Sequence, residues 1–135
     1  MKKFRFLLAA AVAVAVVLAA GAVSGQGAYN KSAFEKAMEG LNRDLRVTMG
    51  SIVASDWAKA EASARSIAAQ AKMVRTLTPP TRTDQIADFQ AHADSLGARA
   101  GRLAVAASAK NGESAGRLLG ETVSSCAGCH AVFRK

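Results

Sequence analysis

The residues best suited to chemistry form one short segment, Cys126-Ala127-Gly128-Cys129-His130, near the end of the 135-residue chain. The pattern C-x-x-C-H is the attachment signature of c-type haem. The two thiols add across the two vinyl groups of haem, and the adjoining histidine binds the iron. On a helix Cys126 and His130 are one turn apart, so one segment can hold the ring edge and ligate the metal. The sequence predicts one covalently attached haem c, bound by Cys126, Cys129 and His130.

Three other interpretations of this segment compete with haem attachment. A C-x-x-C pair in an exported protein can form a structural or exchanging disulfide, but thioredoxin-like motifs follow a strand and no strand pattern precedes this one. A zinc site needs two further ligands, whereas His92 is the only other histidine and there is no third cysteine. The third interpretation is coincidence. The position of His130 directly after the only pair of cysteines argues against it.

The second axial ligand of the iron decides what such a haem would do. Histidine alone leaves an open position for gases, whereas histidine with methionine gives an electron carrier with a raised potential. In an up-down bundle, Met38 lies roughly 9 Å from the start of the first helix and His130 roughly 7 Å from the end of the last, at the same end. Met49 lies about 16 Å further along the first helix, and Met73 lies on the helix diagonal to the last. Met38 is the predicted ligand, with Met73 or no protein ligand as alternatives.

Composition and size favour a small helical protein that would position these side chains. Half of the residues are hydrophobic but only 5% are aromatic, and an alanine-rich chain with few β-branched residues favours helices. Apolar residues recur at steps of three or four in four segments joined by short links. This pattern predicts an all-α, antiparallel up-down-up-down four-helix bundle. No catalytic triad, carboxylate pair or phosphate loop is recognisable, so we do not expect an enzyme.

Capping and breaking residues set the expected ends of the first two helices. Ser32, with Glu35 three residues later, fits a capping box for a first helix over about 33–54. A second helix is expected to start at Ser55-Asp56. It should end at Thr78-Pro79-Pro80, because proline cannot continue a helix.

The last two helices are separated by the break Lys110-Asn111-Gly112. Thr83 is the expected N-cap of the third helix, and the fourth is expected over about 113–133. The expected apolar stripes of the first and fourth helices are Phe34, Met38, Leu41, Leu45, Met49 and Ile52, and Leu119, Val123, Cys126, His130 and Phe133.

The start of the chain has the pattern of a secretory signal peptide. The basic residues of Met1-Lys2-Lys3-Phe4-Arg5 precede an apolar run over about 6–23, and Ala22-Val23-Ser24 supplies the small residues that signal peptidase reads. We therefore expect a signal peptide over 1–24, a haem domain over 25–135, and a periplasmic mature protein. An uncleaved membrane anchor is the alternative, since the run just reaches the length at which spanning becomes plausible.

The charge of the chain bears on its partners. The formal net charge is +8, of which the leader carries three units, leaving +5 on the mature chain. The lysines and arginines form no dense run, and no aromatic residues stand among them to stack on bases, so nucleic-acid binding has little support. A moderate positive charge favours docking on redox partner proteins with acidic surfaces. Membrane contact is expected only with the leader retained, and both a monomer and a homodimer fit the sequence.

The chain resembles two groups of haem proteins. Its end, from Cys126 to Arg134, resembles the end of cytochrome c-prime proteins, where C-x-x-C-H lies on the last helix of a four-helix bundle. Its first helix looks like that of the soluble periplasmic b-type cytochrome with this fold, where an iron-binding methionine precedes Glu-x-Leu-Asn, as in Met38-Glu39-Gly40-Leu41-Asn42. Thr78-Pro79-Pro80 is similar to that protein's turn between its second and third helices.

The resemblance implies a six-coordinate carrier of single electrons with His130 and Met38 as axial ligands. Cytochrome c-prime proteins themselves lack a strong distal protein ligand, so the alternative is a five-coordinate protein that binds nitric oxide or carbon monoxide. The family often has a basic residue where Arg134 stands, which implies a contact with a haem propionate. A cation near a helix C-terminus is the other interpretation of Arg134.

Overall fold

The computed structural model describes residues 27–134, and these residues form four helices. They are α1 (Lys31–Val53), α2 (Trp57–Val74), α3 (Ile86–Ser108) and α4 (Gly112–Phe133). No strand occurs in this part of the chain. The predicted signal peptide lies outside the described residues.

The helices pack in chain order around a common axis. α1 packs on α2, α2 on α3 and α3 on α4, and α4 returns to α1 with much sparser contact. This order confirms the predicted all-α, up-down-up-down four-helix bundle. The sparse α1–α4 contact leaves an opening on one side of the bundle. Within the described range, no helix combines the length and apolar character needed to cross a membrane.

The turn between α1 and α2 ends one helix and starts the next. Ser55 takes a left-handed conformation with φ 57°, and its N–H donates to the carbonyl of Ile52 at 3.1 Å. The N–H of Asp56 donates to the carbonyl of Ser51 at 2.8 Å, which completes a Schellman motif. The Asp56 side chain then accepts from the N–H of Lys59 at 3.2 Å. Asp56 is the N-cap that the sequence predicts.

The turn between α3 and α4 repeats this arrangement. Lys110 has φ 53°. Its backbone N–H donates to the carbonyl of Ala107, and the backbone N–H of Asn111 donates to the carbonyl of Ala106. The Asn111 side chain accepts from the N–H of Ser114 at 3.0 Å. The predicted break before the fourth helix is therefore confirmed. Both turns combine a left-handed residue with a side-chain cap on the next helix.

Two of the predicted N-caps are wrong. The cap of α1 is Asn30, whose side chain accepts from the N–H of Ala33 at 3.0 Å, while Ser32 already lies inside the helix. Because both residues are good caps and stand two positions apart, the earlier one starts the helix. α3 follows Gln85, which makes no side-chain cap, and not Thr83.

The predicted apolar stripes of α1 and α4 differ from the faces that those helices bury. α1 buries mostly polar or small residues, and Met49 is 52% exposed. The buried residues of α1 are Gly40, Leu41, Asp44, Thr48 and Ser51. In α4, Val123 and His130 are exposed, whereas Leu118 is buried. The first four residues of the predicted α1 stripe (Phe34, Met38, Leu41 and Leu45) line the opening between α1 and α4 and also belong to or pack against the core.

The apolar core has two parts, one at each end of the bundle. The part near the chain termini contains Leu41, Ile67, Ala71, Val74, Phe89, Ala93, Leu96, Ala100 and Phe133. The other part contains Ala64, Leu103, Ala104, Ala106, Ala115 and Leu118. The second part is built largely of alanine, whereas the first holds both buried phenylalanines, and it is the first that borders the opening.

Candidate haem-binding site

A cavity of about 790 Å³ occupies the opening between α1 and α4. Its volume falls within the range of about 300–1,000 Å³ that is usual for cofactor and ligand pockets. The apolar residues that line it are Phe34, Met38, Leu41, Leu45, Pro80 and Phe133. The cavity is thus a large, mainly apolar pocket that is open to solvent on one side.

All three residues of the C-x-x-C-H motif that are predicted to bind haem line this cavity. Cys126, Cys129 and His130 lie on the last turns of α4. Both cysteines are half-buried and unbridged, and His130 is exposed. Because positions three and four apart share one face of a helix, both thiols and the imidazole are presented to the same space.

The two thiols are held in their protonated form. Burial raises the pKa of the Cys126 thiol. Burial, together with the nearby Cys126, raises the pKa of Cys129 to about 11. Redox-active C-x-x-C pairs instead have a lowered thiol pKa, because the thiolate is the species that attacks a disulfide. The pair is therefore poorly suited to disulfide exchange.

His92 packs against α4 and does not line the cavity. A β-carbon at Gly128 would lie 3.7 Å from Cε1 of His92, and the imidazole contacts the Phe133 ring edge-on with centroids 5.9 Å apart. No group of three or more histidine, cysteine, aspartate or glutamate side chains in residues 27–134 could hold a metal ion. This arrangement opposes the zinc interpretation.

The structure separates the methionines that the sequence offered as iron ligands. Met38 is half-buried and lines the cavity together with His130. Met49 and Met73 are 52% and 67% exposed, and neither lines the cavity. Met38 is thus the methionine placed to reach a haem in this cavity, and its ligation of iron stays a prediction.

The wall of the cavity is braced by a chain of aromatic contacts. Phe34 and Phe133 both line the cavity, and both contact Phe89, with centroid distances of 6.1 Å and 5.4 Å. Phe89 is 1% exposed. Tyr29 extends the chain toward the rim, 6.0 Å from Phe34. Three helices are therefore tied together directly behind the site.

Charged and polar groups line the cavity as well. Arg134, the predicted propionate contact, is exposed and lines it, and its N–H donates to the carbonyl of His130 at 3.2 Å. The carboxylates Glu35 and Glu39 line it too. Lys31 and Asn42 also line it, and neither is among the predicted site residues. Their spacing of seven and four residues from Met38 places them on the same helix face, which is the signal that could have found them.

These residues fit a covalently attached haem. Two thiols and an imidazole on one helix supply the attachment points and one axial ligand. A half-buried thioether on the facing helix lines the same cavity, and methionine is a ligand that haem iron accepts. The apolar walls suit the ring, and the cation Arg134 suits its carboxylates. Lys31 is a second cation in the lining, where it forms a 3.8 Å ion pair with Glu35.

Comparisons with known proteins agree with this chemistry. The family model described as cytochrome C′ matches residues 36–134, well over half of the chain. No curated protein and no solved structure matches the chain at a significant level.

Proposed function

The chain belongs to the cytochrome c′ family, and from this premise we propose that it is a periplasmic carrier of single electrons. As a family member it is a c-type cytochrome with covalently bound haem. The finer proposal is that Cys126 and Cys129 carry one haem and that His130 and Met38 are its axial ligands. The observation that carries this proposal is that Met38 lines the same cavity as the C-x-x-C-H residues.

The haem, when bound, supplies an iron that alternates between the ferrous and ferric states by gaining or losing one electron. Cys126 and Cys129 hold the edge of the ring on α4, so that the cofactor stays in place in both states. His130 and Met38 would supply the same two ligands in both states. With an unchanged ligand set, little reorganisation would oppose the transfer.

The surroundings of the site favour reduction of the iron. Leu41, Leu45 and Phe133 present apolar surface to the cavity, and an apolar shell excludes water and disfavours the extra charge of ferric iron. Thioether ligation acts in the same direction, since it raises the reduction potential. We propose that Arg134, together with Lys31, pairs with the propionates.

The open side of the cavity is where redox partners would dock. The positive charge of the chain predicts partner proteins with acidic surfaces. Their association should slow with rising ionic strength, because salt screens the attraction.

One observation favours a second candidate, a five-coordinate protein that binds nitric oxide or carbon monoxide. The cavity continues about two turns past Met38, to Asn42 and Leu45. If the thioether were displaced, this space would admit a diatomic ligand beside the iron. The two candidates differ in whether the Met38 sulfur binds iron.

Absorption spectra of the haem-loaded protein test the proposal. Oxidised and reduced samples are recorded with and without carbon monoxide. We expect low-spin spectra, a weak band from sulfur to ferric iron, and no response to carbon monoxide. A high-spin spectrum that shifts with carbon monoxide would contradict Met38 ligation and establish the second candidate.

A further inference from the structure

The face of α1 that packs on α2 is polar where a bundle interface is normally apolar. Its groups pair across the interface at three successive levels. We call this set the polar ladder, and its members are Gly40, Asp44 and Thr48 on α1 and Ser63, Ser66 and Gln70 on α2.

The middle level of the polar ladder is a carboxylate held by three donors. Asp44 is 8% exposed. Its Oδ2 accepts hydrogen bonds from Oγ of Ser66 and Nε2 of Gln70, both at 2.5 Å. Its Oδ1 accepts from Nε of Arg43 at 3.0 Å. Gln70 also donates to Oγ of Ser66 at 3.1 Å, so the two α2 side chains act as one unit.

At the level nearest the site, the Gln70 side chain packs directly against the backbone of Gly40. A β-carbon at Gly40 would collide with Oε1 of Gln70. Gln70 therefore fills the space that a side chain at position 40 would take. At the far level, Oγ1 of Thr48 donates to Oγ of Ser63 at 2.8 Å. The polar ladder thus specifies both the rotation and the axial position of α1 against α2.

The rotation of α1 decides where Met38 points. Two residues correspond to about 200° on a helix, so Met38 projects about 160° away from Gly40. On the cavity side α1 has only sparse contact with α4. Leu41 and the Phe34–Phe89 contact also anchor α1 to the core, but packing of this kind tolerates small rotations. Directional hydrogen bonds between buried groups define one arrangement, whereas apolar side chains of similar size tolerate several.

We propose that the polar ladder is a positioning device for the second axial ligand. Gln70 and Asp44 are positioning residues: they hold α1 at the rotation that directs the Met38 sulfur into the cavity. The effect of the polar ladder on the direction of Met38 follows from the interface geometry. Its consequence for iron ligation rests on the proposed function.

Two variants test the device in the haem-loaded protein. Gln70→Ala removes the amide from Asp44 and from the space above Gly40. Gly40→Ala keeps every polar group but forces the Gln70 amide aside. Both should weaken the band from sulfur to ferric iron. Both should also allow carbon monoxide to bind to reduced protein, at a rate at least about tenfold above any residual rate in the natural protein, because a fraction of the molecules has lost the thioether.

The double variant Gly40→Ala/Gln70→Ala tests whether the two positions act through each other. With the Gln70 side chain removed, the added methyl group meets no obstacle. Gly40→Ala should therefore have a large effect on carbon monoxide binding in the natural background and little effect in the Gln70→Ala background. Equal effects in both backgrounds would overturn the proposed role of the Gly40–Gln70 level.

A matched control separates positioning from general loosening. Leu103→Ala lies in the alanine-rich part of the core at the other end of the bundle, and it should lower stability at least as much as Gln70→Ala. Its sulfur band and carbon monoxide rate should stay unchanged. If Leu103→Ala perturbs both as much as Gln70→Ala does, the device is merely structural and the proposal fails. Ser66→Ala is a milder variant should Gln70→Ala fold poorly.

A second readout keeps this test independent of iron ligation. The NMR shift of the isotopically labelled Met38 methyl, recorded in the reduced haem-loaded protein without carbon monoxide, reports the position of the side chain relative to the haem ring. Gln70→Ala should move this signal, and Leu103→Ala should not. If the natural protein lacks the sulfur band, the proposed function fails, and the methyl shift alone decides the inference. An unmoved methyl signal in Gln70→Ala overturns the inference.

Discussion

Met38 of α1 and His130 of α4 line the same cavity, although they stand near opposite ends of the chain. The antiparallel order of the helices brings the start of α1 and the end of α4 to one end of the bundle. The sparse packing between these two helices then leaves room for a ring between the two side chains. An open bundle edge with one potential iron ligand on each side is the structural basis of the proposed electron carrier.

Met38→Ala should open the iron while leaving the cofactor in place. Attachment depends on Cys126 and Cys129, so haem should stay bound through a denaturing gel. Without the thioether, the reduced protein should bind carbon monoxide and the band from sulfur to ferric iron should vanish. Met73→Ala is the matched control, because that side chain is 67% exposed and does not line the cavity. Unchanged ligation in Met38→Ala would disprove the assignment.

The thiols of the haem-free, reduced protein should react slowly with iodoacetamide at neutral pH. The pKa of Cys129 is raised to about 11 from 9.0, so its thiolate fraction falls about a hundredfold. A more basic thiolate is also the stronger nucleophile, which restores part of the rate. We expect alkylation about tenfold slower than in the unfolded chain, with a rate that keeps rising toward pH 11. Peptide mapping of the labelled cysteine would measure the alkylation rate. Equal rates in folded and unfolded chains would show that folding does not protect the thiol.

Local signals in the sequence were sufficient to predict the number and order of the helices and the attachment motif, although some helix ends differ by two to four residues. The Thr78-Pro79-Pro80 break and the capping residues Asp56 and Asn111 act within a few residues of the positions they control. Spacing alone also identified C-x-x-C-H, because the chemistry of thioether attachment fixes the order of its residues. The position of Met38 followed from helix length and topology, which together give the height of a residue in a bundle.

The polar ladder could not be predicted in this way. Asp44 and Thr48 are residue types that normally face solvent, and only Ser66, Gln70 and Ser63 on another helix make their burial favourable. That pairing depends on the relative rotation of two helices, which periodicity within one helix does not contain. The same limit applies to the apolar stripe of α1. Phe34, Met38, Leu41 and Leu45 line the cavity and also belong to or pack against the core, and periodicity alone does not distinguish a core face from a cavity wall.

The polar ladder should also make stability sensitive to acid. Burial alone raises the pKa of the Asp44 carboxyl, but hydrogen bonds from Ser66, Arg43 and Gln70 and the charge of Arg43 outweigh it, and the net pKa is lowered below 3.8. A lowered folded-state pKa stabilises the protein above the unfolded-state value, and this contribution is lost as the pH falls through the folded-state value.

Asp44→Asn should remove that pH dependence. We expect the variant to be less stable at neutral pH by about 1–3 kcal/mol, because charge-assisted hydrogen bonds are lost at a buried site. The difference from the natural protein should shrink as the pH falls below about 4. Urea unfolding at a series of pH values measures both quantities. Glu35→Gln, at an exposed position with a 3.8 Å ion pair to Lys31, is the control, and it should show a far smaller effect at neutral pH.

The turn before α4 offers a stabilising change. Lys110 has φ 53°, and this left-handed conformation costs a residue with a β-carbon about 1–2 kcal/mol. Glycine avoids that cost but loses about 0.5–1 kcal/mol of backbone entropy on folding. Lys110→Gly should therefore stabilise the protein by about 0.5–1 kcal/mol. The neighbouring Ala109, with φ −77°, provides the control, since Ala109→Gly should destabilise. Thermal unfolding of both variants measures the difference, and a loss of stability in Lys110→Gly would show that this turn is not strained.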